Sequence, residues 1–246
     1  MILKVLGSSS RGNCYVLENE REALILEAGI RFSEVKRALN FNVSKVAGCL
    51  ITHEHADHAA HVSEVLKACI PVYTSAGTAK NLTVKGDRLP LLCEAGTLLQ
   101  LGAFRIIPFE AKHDAAEPLG FFIDHPETGR VLFATDTYYL PCKFAGLNNV
   151  LIECHYDLDQ LERNIAAGLI PSVGRNRTKK SHFSYQHWIE SLQANDIKAV
   201  NNIVLLHLAD GNSNAKAFAK GIKAATGKSV YVAEPGLEIP FNKTPF

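Results

Sequence analysis

The sequence predicts an α/β fold of two mixed β-sheets flanked by helices, and three observations carry that prediction. Short β-branched and apolar runs punctuated by glycine recur through both halves of the chain. Stretches with helical spacing intervene between groups of those runs. The early runs come largely as hairpins whereas helices separate the later ones, which suits two sheets faced by helices better than a uniform βαβ array.

In chain order, strands are expected over residues 2–6, 14–17, 23–26, 49–52, 104–109, 120–123, 131–134, 150–153, 203–207 and 230–233, with Gly129 near a turn. Val62, Val65, Leu66 and Cys69 share one helical face, and Tyr185, Trp188, Ile189 and Leu192 share another, with Ser184 as the N-cap of the second helix. Residues 167–181 form the least regular segment. No internal repeat, low-complexity tract or proline-rich linker marks a boundary, so residues 1–246 are expected to form a single domain.

Composition narrows the function classes. The 26 Lys+Arg residues nearly balance the 25 Asp+Glu, so any polyanion site must be local. Six scattered cysteines form no C-x-x-C pair, and most sit in apolar runs where a reduced thiol behaves as a small hydrophobe. Residues 1–7 enter a strand-like stretch with no signal-peptide pattern, and no run reaches the roughly 18 apolar residues of a spanning helix. The chain is read as soluble and cytoplasmic, without a membrane partner. Its oligomeric state is not legible.

The chemistry concentrates in Leu50-Ile51-Thr52-His53-Glu54-His55-Ala56-Asp57-His58, where an apolar strand ends in three imidazoles and a carboxylate. At a strand exit His53 and His55 share a face because alternate residues do, while Asp57 and His58 fall where the chain turns into a helix. A lone His-x-His pair more often belongs to a solvated loop or a structural site. Here His113, Asp136 and His207 also follow predicted strands, and four strands delivering such side chains at their exits can assemble a metal site at one sheet edge. Imidazole and carboxylate donors suit zinc or manganese, with iron also possible.

The His-x-His-x-Asp-His motif followed by separated His113, Asp136 and His207 resembles the metallo-β-lactamase superfamily. Leu6-Gly7-Ser8-Ser9-Ser10-Arg11-Gly12-Asn13-Cys14, the run from Lys112 to Phe121, Ala134-Thr135-Asp136-Thr137 and Leu151-Ile152-Glu153-Cys154-His155-Tyr156-Asp157 resemble its bacterial WalJ (YycJ) exonuclease branch, so the likeness covers nearly the whole chain. The resemblance implies an αββα sandwich, the metallo-β-lactamase fold, and two divalent metal ions per chain. One would be held by His53, His55 and His113, the other by Asp57, His58 and His207, with Asp136 bridging. Two departures stand out. Family members usually carry aspartate in place of Glu27, and the extra methylene is expected to shift support behind the ligands. They usually carry glycine in place of Ser181, where a side chain leaves the backbone less free to turn left-handed.

Two close divalent ions can share a hydroxide and clamp the oxygens of an ester, with Asp57 orienting the nucleophile. The superfamily includes lactamases, thioesterases, lactonases and nucleases, so fold alone does not choose. Ser181-His182-Phe183-Ser184 resembles the Gly-His-Leu-Ser element of the WalJ branch, which favours phosphodiesters and makes His182 the candidate general acid. Arg175, Arg177, Lys179 and Lys180 place four cations in six residues just before it, suited to phosphate contacts although a basic run is commonly a solvated loop. His155 ends a strand on the same edge and is expected either to line the substrate groove or to pack.

Only 22 residues lie between His113 and Asp136, too few for a flexible arm, so the groove should be open. The resemblance implies a DNA exonuclease, with nucleic acid as the partner. A small-molecule ester, thioester or lactone hydrolase is the alternative, and a non-catalytic binding module is disfavoured by the intact ligand set. His61, His125 and His187 are read as structural or surface residues, Tyr185 and Trp188 as core, and the Gly7–Gly12 serines as a hairpin.

Overall fold

The computed structural model describes residues 1–209 and 211–245, with backbone alone for 172–174 and 193. Two seven-stranded sheets lie face to face. The first is ordered β14-β1-β2-β3-β4-β5-β6 and joins β1 (Ile2–Gly7), β2 (Cys14–Glu18), β3 (Ala23–Leu26), β4 (Val46–Leu50), β5 (Val72–Thr74), β6 (Leu91–Leu92) and β14 (Glu238–Pro240). The second is ordered β13-β12-β11-β10-β9-β8-β7. It joins β7 (Leu99–Leu101), β8 (Phe104–Glu110), β9 (Leu119–His125), β10 (Gly129–Ala134), β11 (Leu147–Glu153), β12 (Asn202–Leu206) and β13 (Ser229–Val232).

Strand alternation generates three apolar layers from one sequence. Tyr15, Leu17, Leu24 and Leu26 meet Val131, Phe133, Leu151 and Val204 between the sheets. The intervening residues Val16, Ile25 and Cys49 face outward, against Phe32 and Val35 of α1 (Phe32–Ala38) and Val62 and Val65 of α3 (Val62–Lys67). On the opposite side Leu132, Val150, Ile152 and Ile203 pack on Trp188 of α7 (Tyr185–Ala194) and Phe218 of α8 (Ala215–Thr226). Burial on both faces explains why the central strands read as continuous apolar runs. Helices outside two sheets give the αββα sandwich.

The predicted strands appear with shifts that have local causes. The run 49–52 ends as a strand at Leu50, because the Thr52 amide donates to the Glu27 carboxylate (3.3 Å) instead of extending a ladder. The run 203–207 ends at Leu206, since His207 turns left-handed at φ 50°. Residues 167–181 are corrected more fully, because they contain a ten-residue helix, α6 (Ser172–Ser181). No apolar stripe announces that helix. Ion pairs hold it instead, with Arg175 and Lys179 both 2.7 Å from Glu162 of α5 (Leu158–Ala166).

Strand direction locates the functional edge. β3 and β4 are parallel, as are β10, β11 and β12. β8 runs the same way as β10, since each pairs antiparallel with β9. The C-terminal ends of these strands deliver Glu27, His53, His113, Asp136, Glu153 and His207. Among the described residues, no helix is long and apolar enough to cross a membrane.

Candidate metal centre

The histidine-rich loop is fixed from behind by backbone contacts. Asn13 and Ala28 amides donate to the Asp57 and His58 carbonyls (2.7 and 2.8 Å). At Gly29 a side chain would collide with the Asp57 carbonyl, so the close approach requires glycine. His55 stands just before α2 (Ala56–Ala59), whose first turn carries Asp57 and His58. Glu27, Asp136 and His207 all adopt positive φ (68°, 45° and 50°), a conformation uncommon for side-chain-bearing residues. Each abrupt turn at a strand exit swings a polar group toward the edge of the sandwich.

Donor atoms converge in groups. His53, His55, His113 and Asp136 form one, and Asp57, His58, Asp136 and His207 another, the atoms of each lying within 4.8 Å of one another. In the first, His55 Nδ1 is 3.0 Å from His53 Nε2 and 3.2 Å from His113 Nε2. In the second, Asp57 Oδ2 is 3.2 Å from His58 Nε2 and 3.1 Å from His207 Nε2. Asp136 divides its oxygens, Oδ2 toward His113 (3.5 Å) and Oδ1 toward His58 (3.5 Å).

These spacings fit metal ions. Donors bound at about 2.0–2.1 Å around one tetrahedral cation lie roughly 3.3 Å apart. The tautomers fit as well. His113 Nδ1 donates to the Ser181 carbonyl (2.8 Å), which leaves the Nε2 lone pair for the cluster. His53 Nδ1 donates to Thr52 Oγ1 (2.9 Å), and that hydroxyl donates to Glu27 Oε1 (2.5 Å). Glu27 Oε1 is also 3.4 Å from His58 Nδ1, so one buried carboxylate supports both groups.

Electrostatics agree with that assignment. Burial and the neighbouring His58 push His53 well below its ordinary pKa, and burial lowers His113. For Asp57 and Asp136 burial opposes ionisation, but surrounding histidines outweigh it and hold both far below the usual carboxylate range. Neutral imidazoles beside ionised carboxylates are the forms a divalent cation binds. His58 and His207 are raised, their burial outweighed by Asp136 together with Glu27 beside His58 and Asp57 beside His207. A cation between these groups replaces that proton-binding tendency.

A third constellation adjoins the first two. Glu153, fully buried at the end of β11, accepts from His182 Nδ1 (2.6 Å) through Oε1, and from the Thr137 and Phe183 amides (3.0 and 3.2 Å) through Oε2. Burial disfavours charge on His182, yet Glu153 and then Asp136 outweigh it and raise the imidazole to about 9. His155 stacks on that ring at 3.9 Å and 10° and donates from Nδ1 to the His207 carbonyl (2.8 Å). Burial and the adjacent His182 lower His155 to about 4, which limits like-charge repulsion within the stack. Ser181 has a negative φ at the end of α6, so its side chain imposes no left-handed strain.

Five of the seven donors (His55, Asp57, His113, Asp136 and His207) and His182 line a cavity of about 410 Å³ together with Ser10, His155, Arg177 and Thr178. Of the four basic residues, only Arg177 lines it, while its guanidinium pairs with Asp114 (2.9 Å). Arg175 and Lys179 are occupied by Glu162, and Lys180 is exposed without an ion pair among the described residues. His61 pairs with Glu64 at the start of α3, His125 packs on Phe104, and His187 lies exposed on α7. The sequence reading gave Glu153 no role. Its one sequence signal is an acid ending the apolar run Val150-Leu151-Ile152, which a solvated strand terminus would carry equally.

The β-lactamase superfamily domain model matches residues 25–206. The chain is 27% identical over 169 residues to exodeoxyribonuclease YycJ of Bacillus anthracis, covering 64% of each chain. It is 26% identical over 223 residues to exodeoxyribonuclease WalJ of Streptococcus pneumoniae, covering 85% of this chain and 82% of that one. The chain thus spans less than two thirds of the first relative and most of the second. Its fold is similar to the metallo-β-lactamase fold protein YhfI of Bacillus subtilis, with TM-score 0.71 and 15% identity over 97% of this chain and 98% of that one.

Proposed function

As the chain belongs to the metallo-β-lactamase superfamily, we propose that it is a metal-dependent hydrolase, a two-ion phosphodiesterase and specifically a DNA exonuclease, with residues 1–246 acting as one domain. The similarity to two exodeoxyribonucleases favours DNA as the substrate. Six unpaired cysteines suit a reducing compartment, and we place the activity in the cytoplasm.

The carrying observation is His182 on the wall of the donor-lined cavity, held from behind by the buried Glu153. His53, His55, His113 and Asp136 would hold one divalent ion, and Asp57, His58, Asp136 and His207 the other. Such ions supply water deprotonated near neutral pH and offset phosphate charge. Asp57 Oδ2 accepts from Asn13 Nδ2 (3.2 Å) and faces His207, leaving Oδ1 to orient attacking water. His182 spends Nδ1 on Glu153, leaving Nε2–H to protonate the departing oxygen. An alcohol needs that proton far more than a thiol of pKa about 8.5, which sets phosphodiesters ahead of thioesters. Arg177 offers a cation to the phosphate once Asp114 releases it, and Lys180 tracks the backbone beyond.

The test uses metal-loaded protein on end-labelled linear duplex, closed circular DNA, RNA, a thioester and a lactone. Linear DNA should shorten from its ends while circles persist. Turnover of the thioester or lactone alone would refute the nuclease reading. At equal metal content, His182→Ala should lower kcat on DNA by about 10²- to 10⁴-fold and much less on a nitrophenyl phosphodiester, whose leaving group needs little protonation. Equal losses on both would remove the general-acid role.

A further inference from the structure

A second cavity, of about 690 Å³, shares no lining residue with the first and has no part in the chemistry above. Its wall includes Tyr138, Tyr139, Phe183 and Lys143. Tyr138 follows Asp136 by two residues, at most about 7 Å along the chain, and Phe183 is the neighbour of His182. Two short stretches of chain, 136–138 and 182–183, therefore run from the wall of one cavity to the wall of the other. The volume falls in the range of small-ligand sites, ample for a nucleoside.

The tyrosines are held out toward solvent. Tyr138 is 37% exposed and Tyr139 57%, whereas Asp136 and Thr137 just before them are buried. Three hydrogen bonds fix the backbone of the segment. The Tyr138 amide donates to the Lys112 carbonyl (3.0 Å), next to His113. Thr137 donates its hydroxyl to the Tyr139 carbonyl (2.8 Å) and its amide to Glu153 (3.0 Å). The backbone that carries the rings is thereby tied to the segments holding His113 and Asp136, and neither phenol has a hydrogen-bonding partner among the described residues. Exposed aromatic faces on a wall shared with a lysine are what successive bases stack on in single-strand binding, because every base has a π-face.

Building on the phosphodiesterase reading, we propose that Tyr138 and Tyr139 form a stacking platform for a nucleobase flanking the scissile phosphate, with Lys143 against the adjoining backbone. The platform is a positioning device and carries no proton. Tyr139→Ala, Tyr139→Phe and the unaltered protein should be compared on end-labelled DNA, either normal or abasic at each nucleotide flanking the cleaved bond. On normal DNA, Tyr139→Ala should lower kcat/KM roughly 5- to 150-fold, mainly through KM, and Tyr139→Phe should recover most of it. Removing the stacked base should bring the ratio between unaltered and Tyr139→Ala protein toward one. The same ratio on normal and abasic DNA, from protein that degrades DNA normally, would overturn the platform alone. Unaltered protein that degrades no DNA would overturn the phosphodiesterase reading and the platform with it.

Discussion

Glu27 is where one side chain governs both halves of the centre. Its carboxylate lies 3.4 Å from His58 and reaches His53 through Thr52, from a backbone that turns left-handed at φ 68°. Glu27→Gln keeps the shape and removes the charge. It is expected to weaken metal affinity about 10- to 100-fold, read by competition with a chromogenic chelator; unchanged affinity would mean that the carboxylate does not orient these ligands. At this scale much was legible, because a histidine or aspartate after an apolar strand is conspicuous. Glu153 was not, since a glutamate ending a strand looks like a solvated terminus until the third dimension buries it between Thr137 and Phe183. Nor could sequence show that Glu162 and Asp114 occupy three of the four cations before His182.

Elements were legible in proportion to their burial. Strands packed on both faces announced themselves, whereas β5, β6 and β7, with two or three residues each, carry too few side chains for a period. Helix α6 escaped because its support is electrostatic. Helix α1 shows a related dependence, for Arg31 provides no side-chain cap and the Phe32 amide donates to Glu64 of α3 (2.9 Å). Burial opposes the Glu64 charge, but His61 and that amide outweigh it and lower its pKa. A depressed carboxylate stabilises fully above its unfolded value, near 4.3, and loses that contribution as pH falls through the lower folded value. Glu64→Gln should therefore melt below the unaltered protein at about pH 5.5, and the gap should close toward about pH 3. A gap of equal size at both pH values would assign the effect to packing.

Across the whole molecule, the donor groups join the two sheets. His53, His55, Asp57 and His58 follow β4 in the first sheet, while His113, Asp136 and His207 belong to the second. Ions bound there should stabilise the sandwich itself. With free metal at about 100 times its Kd, one site contributes roughly 2.7 kcal/mol, which for this chain length raises Tm by about 5–11 °C. Elemental analysis should give two ions per chain, and Asp136→Ala should lose both the thermal shift and turnover; one ion with full activity in that variant would reject the shared carboxylate. Beside the donors, the two cavities are walled by segments that hold no donor. Ser10, helix α6 and the stretch carrying Tyr138 to Lys143 border the substrate space, while none of them supplies a donor. A change in one of those borders can consequently alter which molecules fit without moving a strand end, so the scaffold leaves selectivity free to vary while the donor geometry stays in place.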